Sequence, residues 1–154
     1  MPRADRALAS PRAVADPLAA VAPALVALAE AEPGREVCGL VVSSPVGPPE
    51  PWPLPNGAAR PERAYQVAPE AMLAALRRLD AEGRALLAVF HSHPAGGADL
   101  SRSDLGAALV DGRPLLEGVA QIVVSLEAGR AVKVRAHRWT NHQFEGDDLW
   151  THVR

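Results

Sequence analysis

The sequence has one cysteine, Cys38, in 154 residues. A lone thiol closes no internal disulfide and builds no CxxC zinc knuckle. Lysine is almost absent: Lys133 is the single one, and arginine supplies the rest of the sixteen basic residues. The arginines are scattered and form no basic stripe. Charge of one sign is also missing, because 18 acidic residues leave a formal net charge of −2. That balance argues against a nucleic-acid grip driven by phosphate neutralisation. The most apolar stretch, Ala13 to Ala31, is broken by Asp16, Pro17 and Pro23, so it falls short of a membrane span. The first twelve residues carry Arg3, Asp5, Arg6 and Arg12 rather than the apolar run of an export signal. These features lead to an expectation of a cytoplasmic protein, with no membrane partner and with Cys38 kept reduced. No internal repeat is visible. A chain of this length suits one domain and buries roughly 70% of the surface its unfolded form exposes.

Residues 1–14 read as a flexible N-terminal leader, 15–145 as the folded domain and 146–154 as a C-terminal tail. Leu18, Val21, Leu25 and Leu28 fall at helical spacing, with Pro23 as either a kink or the true start. Pro33-Gly34 ends that helix, and Val37 to Val42 has the length of a strand. Six prolines between Pro45 and Pro55 exclude a central strand. That segment predicts an irregular excursion or edge strands around a loop, closing at Asn56-Gly57. Ala64 to Val67 reads as a weak strand. Pro69-Glu70 opens a helix with Met72, Leu73, Leu76 and Leu79 as its buried stripe, closed by Gly83. Ala85 to Phe90 is a buried strand. A helix from Ser101 to about Val110 follows, then strands over 119–126 and 132–137. The segment from Thr140 has no clear period. Interleaved strands and helices predict an α/β or α+β domain around one mixed sheet.

Chemistry concentrates after the buried strand. His91 and His93, two residues apart at a strand end, present both imidazoles on one face. Asp104 follows eleven residues after His93, in the first turn of a new helix, with Ser101 three residues before it. Two neutral imidazoles and one carboxylate make a three-ligand zinc site whose open position holds water, with its pKa lowered to about 7. Glu36, at a neighbouring strand edge, is the candidate general base. Each piece also has an ordinary role. A His-x-His pair alone is commonly a surface feature, Ser-x-x-Asp is a helix cap, and Glu36 alone is a solvated acid. Joint occurrence around Pro and Gly punctuation favours the site. Cys38 is more simply a small core residue than a nucleophile. His137, His142 and His152 lack partners at ligand spacing. Trp52, Trp139 and Trp150 read as packing or surface residues.

Glu36-Val-Cys-Gly-Leu, His91-Ser-His93-Pro and Ser101-Arg-Ser-Asp104 together resemble the JAMM (MPN-plus) metalloprotease family, in its bacterial branch. The spacing of Glu, His-x-His, seven residues, Ser, two residues and Asp matches at every position. Pro55-Asn56 and Val123-Val-Ser125-Leu are similar as well, so the resemblance spans about Leu18 to Glu145. It implies a curved mixed sheet flanked by helices, akin to the cytidine deaminase architecture. It also implies one zinc ion per chain, held by His91, His93 and Asp104, with a bound catalytic water. Glu36 would hold that water and shuttle its proton, and Ser101 would donate to the oxyanion. The implied reaction is hydrolysis of a peptide or isopeptide bond after the C-terminal Gly-Gly of a ubiquitin-like or sulfur-carrier protein. Two other outcomes stay open: a phage-tail or cell-wall-related peptidase of the same family, and a non-catalytic MPN scaffold. A zinc deaminase is disfavoured because its Pro-Cys-x-x-Cys ligand block is missing. The proline-rich segment 45–55 is expected to border the substrate channel.

Overall fold

The structure, a computed structural model, describes residues 16–153. The expected leader at 1–14 lies outside them. Among the described residues the order is a 3-10 turn Pro17–Val21, α1 Ala22–Ala31, β1 Cys38–Val42, β2 Glu50–Leu54, α2 Pro69–Glu82, β3 Leu86–His93, α3 Arg102–Ala108, β4 Leu109–Val110, β5 Arg113–Pro114, β6 Ala120–Glu127, β7 Arg130–Thr140 and β8 Gln143–Thr151. The chain is an α/β domain built on one mixed six-stranded sheet, ordered β2-β1-β3-β6-β7-β8. Among the described residues only β3 and β6 pair in parallel; the other neighbours are antiparallel. A separate small hairpin joins β4 to β5.

Each face of the sheet is covered. On one, Leu18, Val21, Leu25 and Ala29 pack over Val41, Phe90, Ile122, Val124, Leu126 and Val134, all buried. On the other, Ala75 and Leu79 of α2 meet Leu40, Val42 and Trp52. The alternation of strand side chains therefore sends Phe90 to the α1 face and His91 and His93 to the face of α2 and α3. Pro23 marks the true helix start: it stands in the first turn of α1, where a missing N–H is harmless. Gly83 caps α2 at φ 63°.

Four expectations need correction. The weak strand at Ala64–Val67 is coil, because its backbone is tied to the Asn56 side chain and not to a neighbouring strand. In α2 Leu79 is buried and Met72 and Leu76 pack beside it as expected, but Ala75 completes the buried stripe and Leu73 is 49% exposed. The third helix stops at Ala108, since Asp111 and Gly112 take positive φ and turn the chain into the β4–β5 hairpin. The tail expected from residue 146 is instead sheet: residues 146–151 belong to β8, which pairs along β7. The proline-rich segment carries the edge strand β2, whose Pro51 and Pro53 sit where a ladder donor is dispensable.

Candidate active site

Strand β3 delivers His91 and His93 from its last three residues. Between them Ser92 points to the opposite face. Its Oγ accepts the Val37 N–H at 2.9 Å and its N–H donates to the Val37 carbonyl at 2.9 Å, which fastens the segment carrying Glu36 beside the histidines. Asp104 comes from the first turn of α3. There it forms a reciprocal cap with Ser101: the Asp104 N–H donates to Ser101 Oγ at 3.0 Å, and the Ser101 N–H donates to Asp104 Oδ2 at 2.9 Å. Ser101 is thus a helix cap. Because its Oγ accepts that bond, its own hydrogen remains free to donate outward.

The structure brings together all four residues expected to form the centre. Glu36, His91, His93 and Asp104 each offer a ligand atom within 4.8 Å of the others. His91 Nε2, His93 Nε2 and Asp104 Oδ2 stand 3.1 Å apart, pair by pair. Donors about 2.0–2.1 Å from a tetrahedral zinc lie about 3.3 Å from one another, so the triangle fits such an ion. The hydrogen positions favour a cation too. His93 Nδ1 lies 2.7 Å from the Gly97 carbonyl, which only accepts, so Nδ1 carries the hydrogen. Nε2 of a neutral His93 then offers a lone pair toward a carboxylate oxygen and a second imidazole nitrogen. A shared cation satisfies all three donors at once, and the Gly97 contact is the kind of outer bond that orients a metal-ligating histidine.

Electrostatics sort the four groups. Burial lifts the Glu36 carboxyl to about 7; His93 pulls it down, and the charge of Asp104 pushes it up. Burial also works to raise Asp104, but the bonds to His91 and His93 and the Ser101 N–H hold it well below the usual carboxylate range. Burial lowers His91, whereas for His93 the bonds to Asp104 and Gly97 outweigh burial and raise it. The site opens into a cleft of about 650 Å³ lined by Glu36, Tyr65, His93, Ser101 and Asp104 among others. His91 lies beneath that lining and is 1% exposed. A second cleft, about 440 Å³, reaches Glu36 and Cys38 from the side of Pro53, Leu54 and Pro55.

The family described as prokaryotic homologs of the JAB domain matches residues 18–142. The chain belongs to that family. This JAB-domain homolog is 49% identical over 53 residues to a probable TtuB-protein conjugate cleaving protease of Thermus thermophilus. The match spans 34% of this chain and 36% of that relative, so it covers about a third of the relative's length. Several solved structures share the fold. A protein from Desulfitobacterium hafniense superposes with a TM-score of 0.64 at 24% identity, over 82% of this chain and 84% of that one. A protein from Salinibacter ruber superposes with a TM-score of 0.52 at 20% identity, over 82% and 86%.

The remaining candidates fall into place as structure. Cys38 is buried, and burial with the nearby Glu36 charge pushes its thiol up to about 11, which suits a core residue and not a thiolate nucleophile. His137, His142 and His152 join no ligand cluster among the described residues. Trp52 packs under α2 with the Arg78 guanidinium 4.1 Å from its ring. Trp139 meets Phe144 edge-on, and Trp150 packs against the α1-side core.

Some contributors escaped sequence reasoning. Tyr65 stacks on His91 with ring centroids 4.5 Å apart; being the one tyrosine in the chain was its only signal. The loop after His93 is latched by three successive carbonyls. Ser125 Oγ donates to Gly96, His93 to Gly97, and His137 Nε2 to Ala98 at 2.8 Å. These partners come from β6, β3 and β7, a convergence that only the folded sheet creates. No helix among the described residues is long and apolar enough to cross a membrane.

Proposed function

We propose that this JAB-domain homolog is a zinc-dependent peptidase or isopeptidase. Its reaction is hydrolysis of the amide bond after the C-terminal Gly-Gly of a ubiquitin-like or sulfur-carrier protein. The observation that carries the reading is the convergence of His91 Nε2, His93 Nε2 and Asp104 Oδ2 with the Glu36 carboxyl alongside. His91, His93 and Asp104 would hold the zinc. When bound, the ion supplies Lewis acidity toward water and toward the scissile carbonyl.

The rest of the chemistry falls to this chain's own groups. Glu36, lifted toward neutrality by burial, suits a base that takes a proton from the attacking water and later returns it to the leaving amine. Ser101 Oγ, already accepting the Asp104 N–H, directs its hydrogen at the oxyanion that develops on the substrate carbonyl. The Gly97 carbonyl keeps the His93 ring in register. A Gly-Gly tail fits the reading because only glycine lets a backbone pass so close to ligands and walls. The name of the Thermus relative, a TtuB-protein conjugate cleaving protease, supports a conjugate as substrate. The setting we infer is the cytoplasm, where Cys38 stays reduced.

The test uses the full chain, loaded with zinc, and a Gly-Gly-terminated ubiquitin-like protein fused to a reporter. The expected result is cleavage after the second glycine, abolished by a chelator and restored by zinc. In Glu36→Gln, turnover falls on the order of 100- to 10,000-fold. Cleavage that survives both chelation and Glu36→Gln contradicts the proposal.

A further inference from the structure

The reacting groups come from separate pieces of chain, and one side chain outside the centre binds both the backbone of Glu36 and the segment that lays Tyr65 on His91. Asn56 follows β2 at the end of the proline-rich segment. A side-chain amide has two donor and two acceptor positions, and Asn56 uses all four. Nδ2 donates to the Glu36 carbonyl and to the Ala64 carbonyl, each at 2.9 Å. Oδ1 accepts the Ala58 N–H at 3.0 Å and the Gln66 N–H at 3.1 Å. Glu36 and both neighbours of Tyr65 therefore hang from one amide.

Tyr65 in turn lies on His91, with an interplanar angle of 23°. The buried His91 Nδ1 has no hydrogen-bond partner among the described residues. A metal-ligating histidine ordinarily has its second nitrogen held by an outer hydrogen bond that fixes the ring. His93 has one, to Gly97; His91 has the Tyr65 ring face instead. We propose that Asn56 is a positioning residue that sets Glu36 directly and His91 through Tyr65, so that base and ligand are registered by the same side chain. This rests on the reading of His91 as a zinc ligand. The Oδ1 bond to Ala58 is by itself an ordinary Asx turn, and a role confined to that turn would alter stability alone.

Zinc affinity separates the two roles without using peptidase activity. The full chain competes with a chromophoric chelator for zinc as wild type, N56D, Y65A, Y65F and the N56D/Y65A double variant, and a circular dichroism melt of each verifies folding. N56D keeps both acceptor contacts and removes both donors. The expected result is a loss of about 10-fold or more in zinc affinity for N56D and for Y65A, recovery in Y65F, which keeps the ring, and a double variant no weaker than the worse single one. Wild-type affinity in folded N56D or Y65A overturns the inference, as does multiplication of the two losses. Should N56D not fold, Y65A and Y65F decide: equal loss in both rejects the stacking role. A folded wild-type chain with no zinc affinity overturns the zinc reading itself, and this inference with it.

Discussion

At the scale of single residues, geometry decides what each polar group is free to do. His93 can offer its Nε2 lone pair beside the Asp104 carboxylate as a second metal ligand because Gly97 already takes its Nδ1 hydrogen. Ser101 does two things with one hydroxyl. It accepts from Asp104 N–H as a cap and keeps its hydrogen for a substrate oxygen. These roles separate in Ser101→Ala. Loss of the cap lowers stability by about 1 kcal/mol, and loss of the oxyanion donor lowers kcat on the order of 100-fold. Urea unfolding and single-turnover cleavage check the two together; a lowered stability with an unchanged rate would leave Ser101 as a cap alone. The motif residues were legible because their chemistry depends on spacing, and spacing is written in the chain. Asn56 was legible only as a turn and as part of the resemblance, and Tyr65 not at all, since an amide hub and a ring stack depend on where the 57–68 excursion returns.

At the scale of elements, the site depends on strands that alternate and on one close approach. Because β3 is buried on both faces, Phe90 fills the α1-side core while His91 and His93 emerge on the other side. Gly39 lets β2 and β3 crowd β1: a Cβ there would overlap the Trp52 carbonyl oxygen and come within 2.8 Å of the Phe90 ring and of Pro53 Cα. Gly39→Ala should therefore destabilise the fold by roughly 1–3 kcal/mol, read as a lower denaturation midpoint; an unchanged midpoint would show that β2 moves aside freely. The central strands and α2 were readable from apolar runs and Pro or Gly punctuation. β8 was not. It is an edge strand with no continuous buried face, and its turn uses Asn141-His142 at positive φ in place of the Asn-Gly pair that marks such hairpins. The β4–β5 turn did carry that kind of signal, Asp111-Gly112. It was masked because Leu109 and Val110 continue the apolar run of the preceding helix.

At the scale of the whole molecule, the start of the described chain is clasped to the sheet. Asp16 takes a two-pronged bond from Arg138 of β7, at 2.6 and 2.8 Å, while its Oδ1 also accepts the Leu18 N–H. The bond from Arg138 holds the Asp16 carboxyl below its ordinary value, against the upward push of burial. A folded-state value below the unfolded one stabilises the fold above about pH 4, and the gain is lost as pH falls through the lowered value. Asp16→Asn should accordingly lower the melting temperature at pH 7, with the gap from wild type closing as pH falls through the lowered Asp16 value. A gap that persists in acid would show that the clasp works by shape and not by charge.

The two-sided core holds β1 and β3, and the latched loop after His93 leads into α3, in the arrangement that gathers Glu36, His91, His93 and Asp104. The most direct test of that centre is the zinc content of the folded full chain, measured by elemental analysis after zinc loading and exhaustive dialysis. About one zinc per chain is expected in the wild type, and little in His93→Ala and Asp104→Ala variants that melt as folded proteins. A folded wild type that retains no zinc, or variants that retain as much as it does, would contradict the account.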